Sequence, residues 1–107
     1  MIAIGRLRRR VAIERPAGTP DGAGGTRDGW TAVATVWAAI EPLGAGEAMV
    51  AGRLDGVASH RVAVRFRADV AGGDRIVAGA RVFRVLAAYD ADERRRHLVC
   101  VCEEEGR

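Results

Sequence analysis

Val33-Ala34-Thr35-Val36-Trp37-Ala38-Ala39-Ile40-Glu41-Pro42-Leu43-Gly44-Ala45-Gly46-Glu47 is the stretch that decides the fold. Its first half is a long uncharged strand, and it stops at a Pro-Leu-Gly break, with no helix following directly. Trp30, Val36, Ala38 and Ile40 lie on the even-numbered side, with Val33, Trp37 and Ala39 on the odd. A strand with one face in water alternates apolar and polar residues. One coated on both faces needs two covers. The domain's own core supplies one, and a neighbouring copy of the chain is the expected second.

Upstream, Arg8 to Arg15 reads as a strand with Val11 and Ile13 on one face and Arg10, Ala12 and Glu14 on the other. Pro16 ends it, because proline cannot donate to a ladder. Ala17 to Gly29 is rich in Gly, Pro, Asp and Thr and is too long for a tight turn, so residues 17–29 are expected to form a mobile loop. Downstream, Leu43 to Ala58 is the one candidate helix, with Val50, Leu54 and Val57 at helical spacing and Glu47 near its start, where the dipole favours a carboxylate. Gly46, Gly52 and Gly56 each cost up to about 1 kcal/mol there relative to Ala. The expectation is a short, loosely held helix or helix-loop excursion, with residues 43–58 mobile.

Ser59 to Arg67 is the clearest strand. Val62, Val64 and Phe66 point one way, and Arg61, Ala63, Arg65 and Arg67 the other. Residues 75–77 and 80–88 form a hairpin around Ala78-Gly79. Tyr89 to Arg94 is a charged turn, Arg95 to Glu103 a closing strand, and the acidic tail from Glu103 is expected to fray. About six short antiparallel strands without strand-helix-strand alternation predict a single all-β domain over residues 1–107, a small barrel or sandwich.

With 107 residues the chain has room for one modest core. A chain this short hides only about 60–70% of the surface its unfolded form exposes, so assembly would relieve a marginal monomer. No apolar run approaches the ~20 residues that span a bilayer. The start lacks the apolar stretch of a secretory signal, so the expected compartment is a cytosol. The formal charge is +3, and all 17 basic residues are arginine. Absence of lysine beside abundant Ala, Gly and Val reflects a GC-rich coding bias, so these arginines are not by themselves a sign of phosphate recognition. They read as solvated or subunit-bridging side chains, with DNA contact the alternative.

The residues that carry chemistry do not converge. Cys100 and Cys102 share a face of their strand with Leu98 and lie too close along the chain for an unstrained disulfide, while His97 points the other way. That set makes no zinc site, and reduced buried thiols are expected. Ser59 and His60 are neighbours on a strand and point to opposite faces, so His60 is not expected to serve Ser59 directly. A chain without lysine forms no phosphate-binding loop of the usual kind. Asp90, Asp92 and Glu93 read as turn formers. The expectation is no enzyme, no metal and no cofactor.

As a whole, the chain resembles the phage head–tail joining family, the head-closure or connector-stopper proteins. The resemblance runs from Ile4-Gly5-Arg6-Leu7-Arg8-Arg9-Arg10-Val11-Ala12-Ile13-Glu14-Arg15-Pro16 to Gly29-Trp30, then through Val36-Trp37-Ala38-Ala39-Ile40-Glu41-Pro42-Leu43 and Gly46-Glu47. It continues in His60-Arg61-Val62-Ala63-Val64-Arg65-Phe66-Arg67, Arg81-Val82-Phe83-Arg84-Val85 and the end from Cys100 to Glu104. The Trp-Ala-Ala-Ile-Glu-Pro-Leu block followed by His-Arg-Val is its most telling part.

The resemblance implies a small β-barrel with an excursion after the second strand. It also implies a structural role: a ring of identical subunits, a dodecamer or hexamer, that closes the DNA-filled head below the portal or adaptor ring. The tail terminator or tail proteins would dock on that ring, and packaged double-stranded DNA would pass through its channel. The implied location is the virion connector, with assembly in the bacterial cytoplasm and no membrane. A ring needs two different surfaces of each subunit to meet. The candidate interface comprises Trp37, the excursion residues Glu47, Val50, Arg53 and Leu54, and the arginine row Arg61, Arg65 and Arg67. The tail Glu103-Glu104-Glu105 offers the opposite charge. The main rival is a small nucleic-acid-binding barrel, for which Trp30, Trp37, Phe83 and Tyr89 form no obvious stacking cluster. A barrel ribonuclease of the toxin type lacks a convincing general base.

Overall fold

A computed structural model describes residues 7–17, 19–20, 26–27, 29–44 and 57–105. In chain order its strands are β1 (Arg9–Pro16), β2 (Thr19–Pro20), β3 (Thr26–Arg27), β4 (Trp30–Pro42), β5 (His60–Arg65), β6 (Arg75–Ala78), β7 (Arg81–Asp90) and β8 (His97–Glu104). Six of them close into an antiparallel barrel in the order β1-β4-β5-β8-β7-β6. The described residues contain no helix. The expected helix falls mainly on residues 45–56, outside the described residues, while Leu43, Gly44 and residues 57–59 are irregular. Within the expected loop 17–29, β2 pairs with β3, and the Ala17 amide donates to the Gly29 carbonyl at 3.0 Å. The β1–β4 ladder therefore continues into a segment expected to be irregular.

The core follows from period-two alternation. Val11 and Ile13 of β1, Val62 and Val64 of β5, Ile76 of β6, Phe83 and Val85 of β7 and Leu98, Cys100 and Cys102 of β8 meet inside the barrel. Phe66 packs against their edge.

In β4 the alternation changes phase. Ile13 pairs with Ala34 but Glu14 pairs with Ala32, so Val33 is an extra residue, a β-bulge. An extra residue shifts every later side chain to the other face. Val33 therefore joins Val36, Ala38 and Ile40 against the core, and Trp30 turns outward with Trp37. Simple alternation misplaced both Val33 and Trp30. Part of the second cover of the strand comes from the chain itself. Ala39 packs with Ala63 and Val99 in a small cluster on the outer wall, and Leu7 of the same chain packs against it. Trp37 alone of the odd-numbered set stays 52% exposed.

Special backbone sites explain the connections. Gly79, with φ of 62°, makes the β6–β7 turn. Gly72 approaches the irregular step of β7 so closely that a Cβ would lie 2.8 Å from the Leu86 carbonyl oxygen. The turn between β7 and β8 uses its acids as expected: Asp92 accepts the Arg94 amide, Asp90 accepts the Arg95 amide, and Glu93 and Arg95 take positive φ. Arg96 also bonds Asp92 and holds its carboxyl below the ordinary range.

Cys100 and Cys102 are free and buried. Burial, with a smaller push from Asp74, raises the Cys100 thiol to about 12, and burial raises Cys102 as well. The unfolded chain ionises its thiols near pH ~8.5. Because the folded pKa is the higher one, this stability is present below about pH 8.5 and is lost as pH rises towards about 12. Stability should fall by about 1.4 kcal/mol per pH unit per thiol in that window. No lysine titrates there to obscure it. Chemical denaturation from pH 8 to 10.5 should show a shallower fall for Cys100→Ala/Cys102→Ala, and an unchanged slope would mean the thiols ionise in the folded state.

Candidate docking surface

Trp37 and Arg65 come together on the outer wall. The last β4–β5 pair at this end is Ala38 with Val64, and Trp37 and Arg65 stand one residue beyond it. With Leu7 and Arg8 they line an open cleft of about 380 Å³. Arg10 is the β1 partner of Trp37, and its guanidinium lies 5.5 Å from the indole centroid. Such a contact at an exposed site is worth about 0.5–1 kcal/mol. The surface thus offers an exposed indole among three arginines, Arg8, Arg10 and Arg65. Trp30 has a similar partner: Arg75 lies 4.2 Å from its ring centroid and bonds Glu14, its β1 neighbour, at 2.6 Å.

The other expected interface residues separate. Arg61 is half-buried on the wall of β5, facing Glu41 on one side and Val101 on the other. Arg67 lies past the end of β5, so the expected three-arginine row breaks. Its guanidinium makes two 2.9 Å bonds to Asp69, which hold that carboxyl below its ordinary range. Glu47, Val50, Arg53 and Leu54 lie outside the described residues. Leu7 and Arg8 were missed as cleft residues, and Arg10 as the partner of Trp37, since nothing local in the sequence shows which strand lies beside Trp37.

Two of the three acids at the acidic end are already engaged, and Glu105 alone of them lies exposed beyond β8. Glu103 and Glu104 belong to β8. Glu103 bonds Arg84, its direct cross-strand partner, at 2.8 Å. Glu104 is buried and takes two bonds from Arg81, at 2.8 and 3.1 Å. Arg81 also lies over Phe83, and the His60 ring meets Phe83 edge-on at 5.2 Å.

Ser59 and His60 do meet, contrary to the strand argument. β5 begins at His60, so strand alternation does not govern Ser59, and its Oγ lies 2.9 Å from His60 Nδ1. The same oxygen accepts the Glu104 amide at 2.9 Å. His60 Nε2 is 3.9 Å from Glu104 Oε1, a carboxylate already committed to Arg81. This cluster ties the start of β5 to the end of β8. It lacks the tight base–orienter bond of an activated nucleophile. Among the described residues no group of His, Cys, Asp and Glu is placed to hold a metal ion.

The described residues thus form a closed six-stranded barrel that carries a solvent-facing Trp–Arg cleft on its outer wall. The chain belongs to the phage head completion protein family, which it matches over residues 2–105. Among solved structures it is similar to the solution structure of protein SF1141 from Shigella flexneri 2a, at 28% identity and a TM-score of 0.77, over 98% of each chain. It is also similar to a chain in the virion of a native gene transfer agent particle. There the identity is 27% and the TM-score 0.63, over 92% of this chain and 93% of that one. No curated protein matches it.

Proposed function

We propose that the chain is the subunit of a ring that completes the connector of a tailed phage or phage-like particle. The ring closes the DNA-filled head below the portal or adaptor and presents the surface on which the tail docks. The family match over nearly the whole chain carries this reading, and the likeness to a chain of a gene transfer agent virion supports it. The physics is compatible. A closed barrel is a stiff wedge, and the open cleft beside Trp37 is a contact surface outside the core. In this reading the chain acts as a non-enzymatic ring homo-oligomer, with portal or adaptor and tail proteins as neighbours and DNA in its channel.

The nucleic-acid-binding alternative is weaker because Arg10 and Arg75 already pack on the two exposed indoles, where stacked bases would compete with them. The test is complementation of filled, tail-less heads with purified protein. Arg65→Glu and Trp37→Ala, which lie outside the core, should melt like the parent but yield about tenfold fewer tailed particles. Variants that fold normally and complement fully would overturn the assignment of this surface.

A further inference from the structure

β4 is longer than its neighbour. It pairs with β1 from Trp30 to Ala38, but with β5 only from Ala38 to Pro42. The β5-facing edge of Trp30–Trp37 therefore has no partner among the described residues, and every second residue along it aims its amide and carbonyl outward. Proteins usually blunt such an edge with charge or proline. Trp-Thr-Ala-Val-Ala-Thr-Val-Trp contains neither. The bulge at Val33 is the one guard, and it interrupts the edge without covering it.

We propose that this edge is a strand-addition site for an extended, acidic segment of a different protein, running antiparallel to β4 in line with β5. The unpaired backbone groups call for another polypeptide backbone, which DNA lacks. The charge around the Trp37 end selects its sequence. Arg10 and Arg65 flank the indole and form no ion pair among the described residues. Among the described residues a second copy has few uncommitted carboxylates to offer them, chiefly the exposed Glu93 and Glu105. Its Glu14, Asp69, Asp74, Asp92, Glu103 and Glu104 are each held by an arginine of their own chain. In the antiparallel sense the acids belong at the N-terminal end of the incoming strand. The site shares Trp37 and Arg65 with the connector contact proposed above, but its test does not rest on that reading, since a chain that never closed a head would still bind such a strand.

The probe is a short acetylated peptide of alternating threonine and valine headed by two glutamates. It is titrated into the full chain, with Trp30 and Trp37 as fluorescence reporters and amide spectra as the map. Amides of residues 30–37 should shift and gain exchange protection. Replacing the glutamates with lysines should weaken binding about tenfold, and Arg10→Glu/Arg65→Glu should reverse that preference. N-methylation at alternate peptide residues should abolish binding. The proposal is overturned if the acidic peptide leaves these amides unmoved at millimolar concentration, or if the N-methylated peptide binds equally well. It is also overturned if the chain pairs with itself through this edge, or if duplex DNA displaces the peptide by taking the edge itself.

Discussion

A lysate lacking this gene should contain heads packed with DNA and free tails that never join them. Capsid assembly and packaging precede the step assigned to the ring, so both should proceed. The packaged genome is then under outward force. Duplex DNA carries one charge per ~1.7 Å and resists bending below a persistence length of about 50 nm. Without a closing ring the filled heads should lose that DNA once the packaging motor departs, and tails made separately should accumulate. Electron microscopy of the lysate, with nuclease-protected DNA measured in the head fraction, checks this. Normal tailed particles would sink the proposed function. A lysate of empty procapsids alone would place the defect at packaging and sink it equally.

Phe83→Ala should be the most damaging single change to the fold. Phe83 heads the fully buried side chains, and among the described residues no other Phe, Tyr or Trp is buried to share its place. Removing its ring costs about 3–5 kcal/mol through lost transfer energy and the residual cavity. A domain of this size has a total stability of roughly 5–15 kcal/mol. The variant should therefore lose a large part of its margin, lowering the urea midpoint while leaving the m-value near that of the parent. The ring also supports Arg81 and His60 from below, so Arg81 should hold Glu104 less firmly. A melting curve within a few degrees of the parent would show that the core is not organised around Phe83.

The sequence by itself was enough for the wall of the barrel wherever alternation is regular. Val62 and Val64 against Ala63 and Arg65 decide the phase of β5, and Leu98, Cys100 and Cys102 against His97 decide β8, because a period of two leaves each side chain one available face. The turn acids Asp90 and Asp92 were equally legible, since their bonds reach only a few residues along the chain.

Other features belong to the tertiary structure, and each depends on a partner far away in sequence. The bulge at Val33 exists only in the register between β1 and β4, yet it turns Trp30 out and Val33 in. Glu103 and Glu104, read as part of a frayed, available tail, are held within the barrel by Arg84 and Arg81, one strand away. The outer face of Ala39 is covered by Leu7, which no local pattern announces. Alternation is a property of one strand and can be read along it. Register, bulges and cross-strand charge pairs are properties of two strands, and they take form only when the barrel closes.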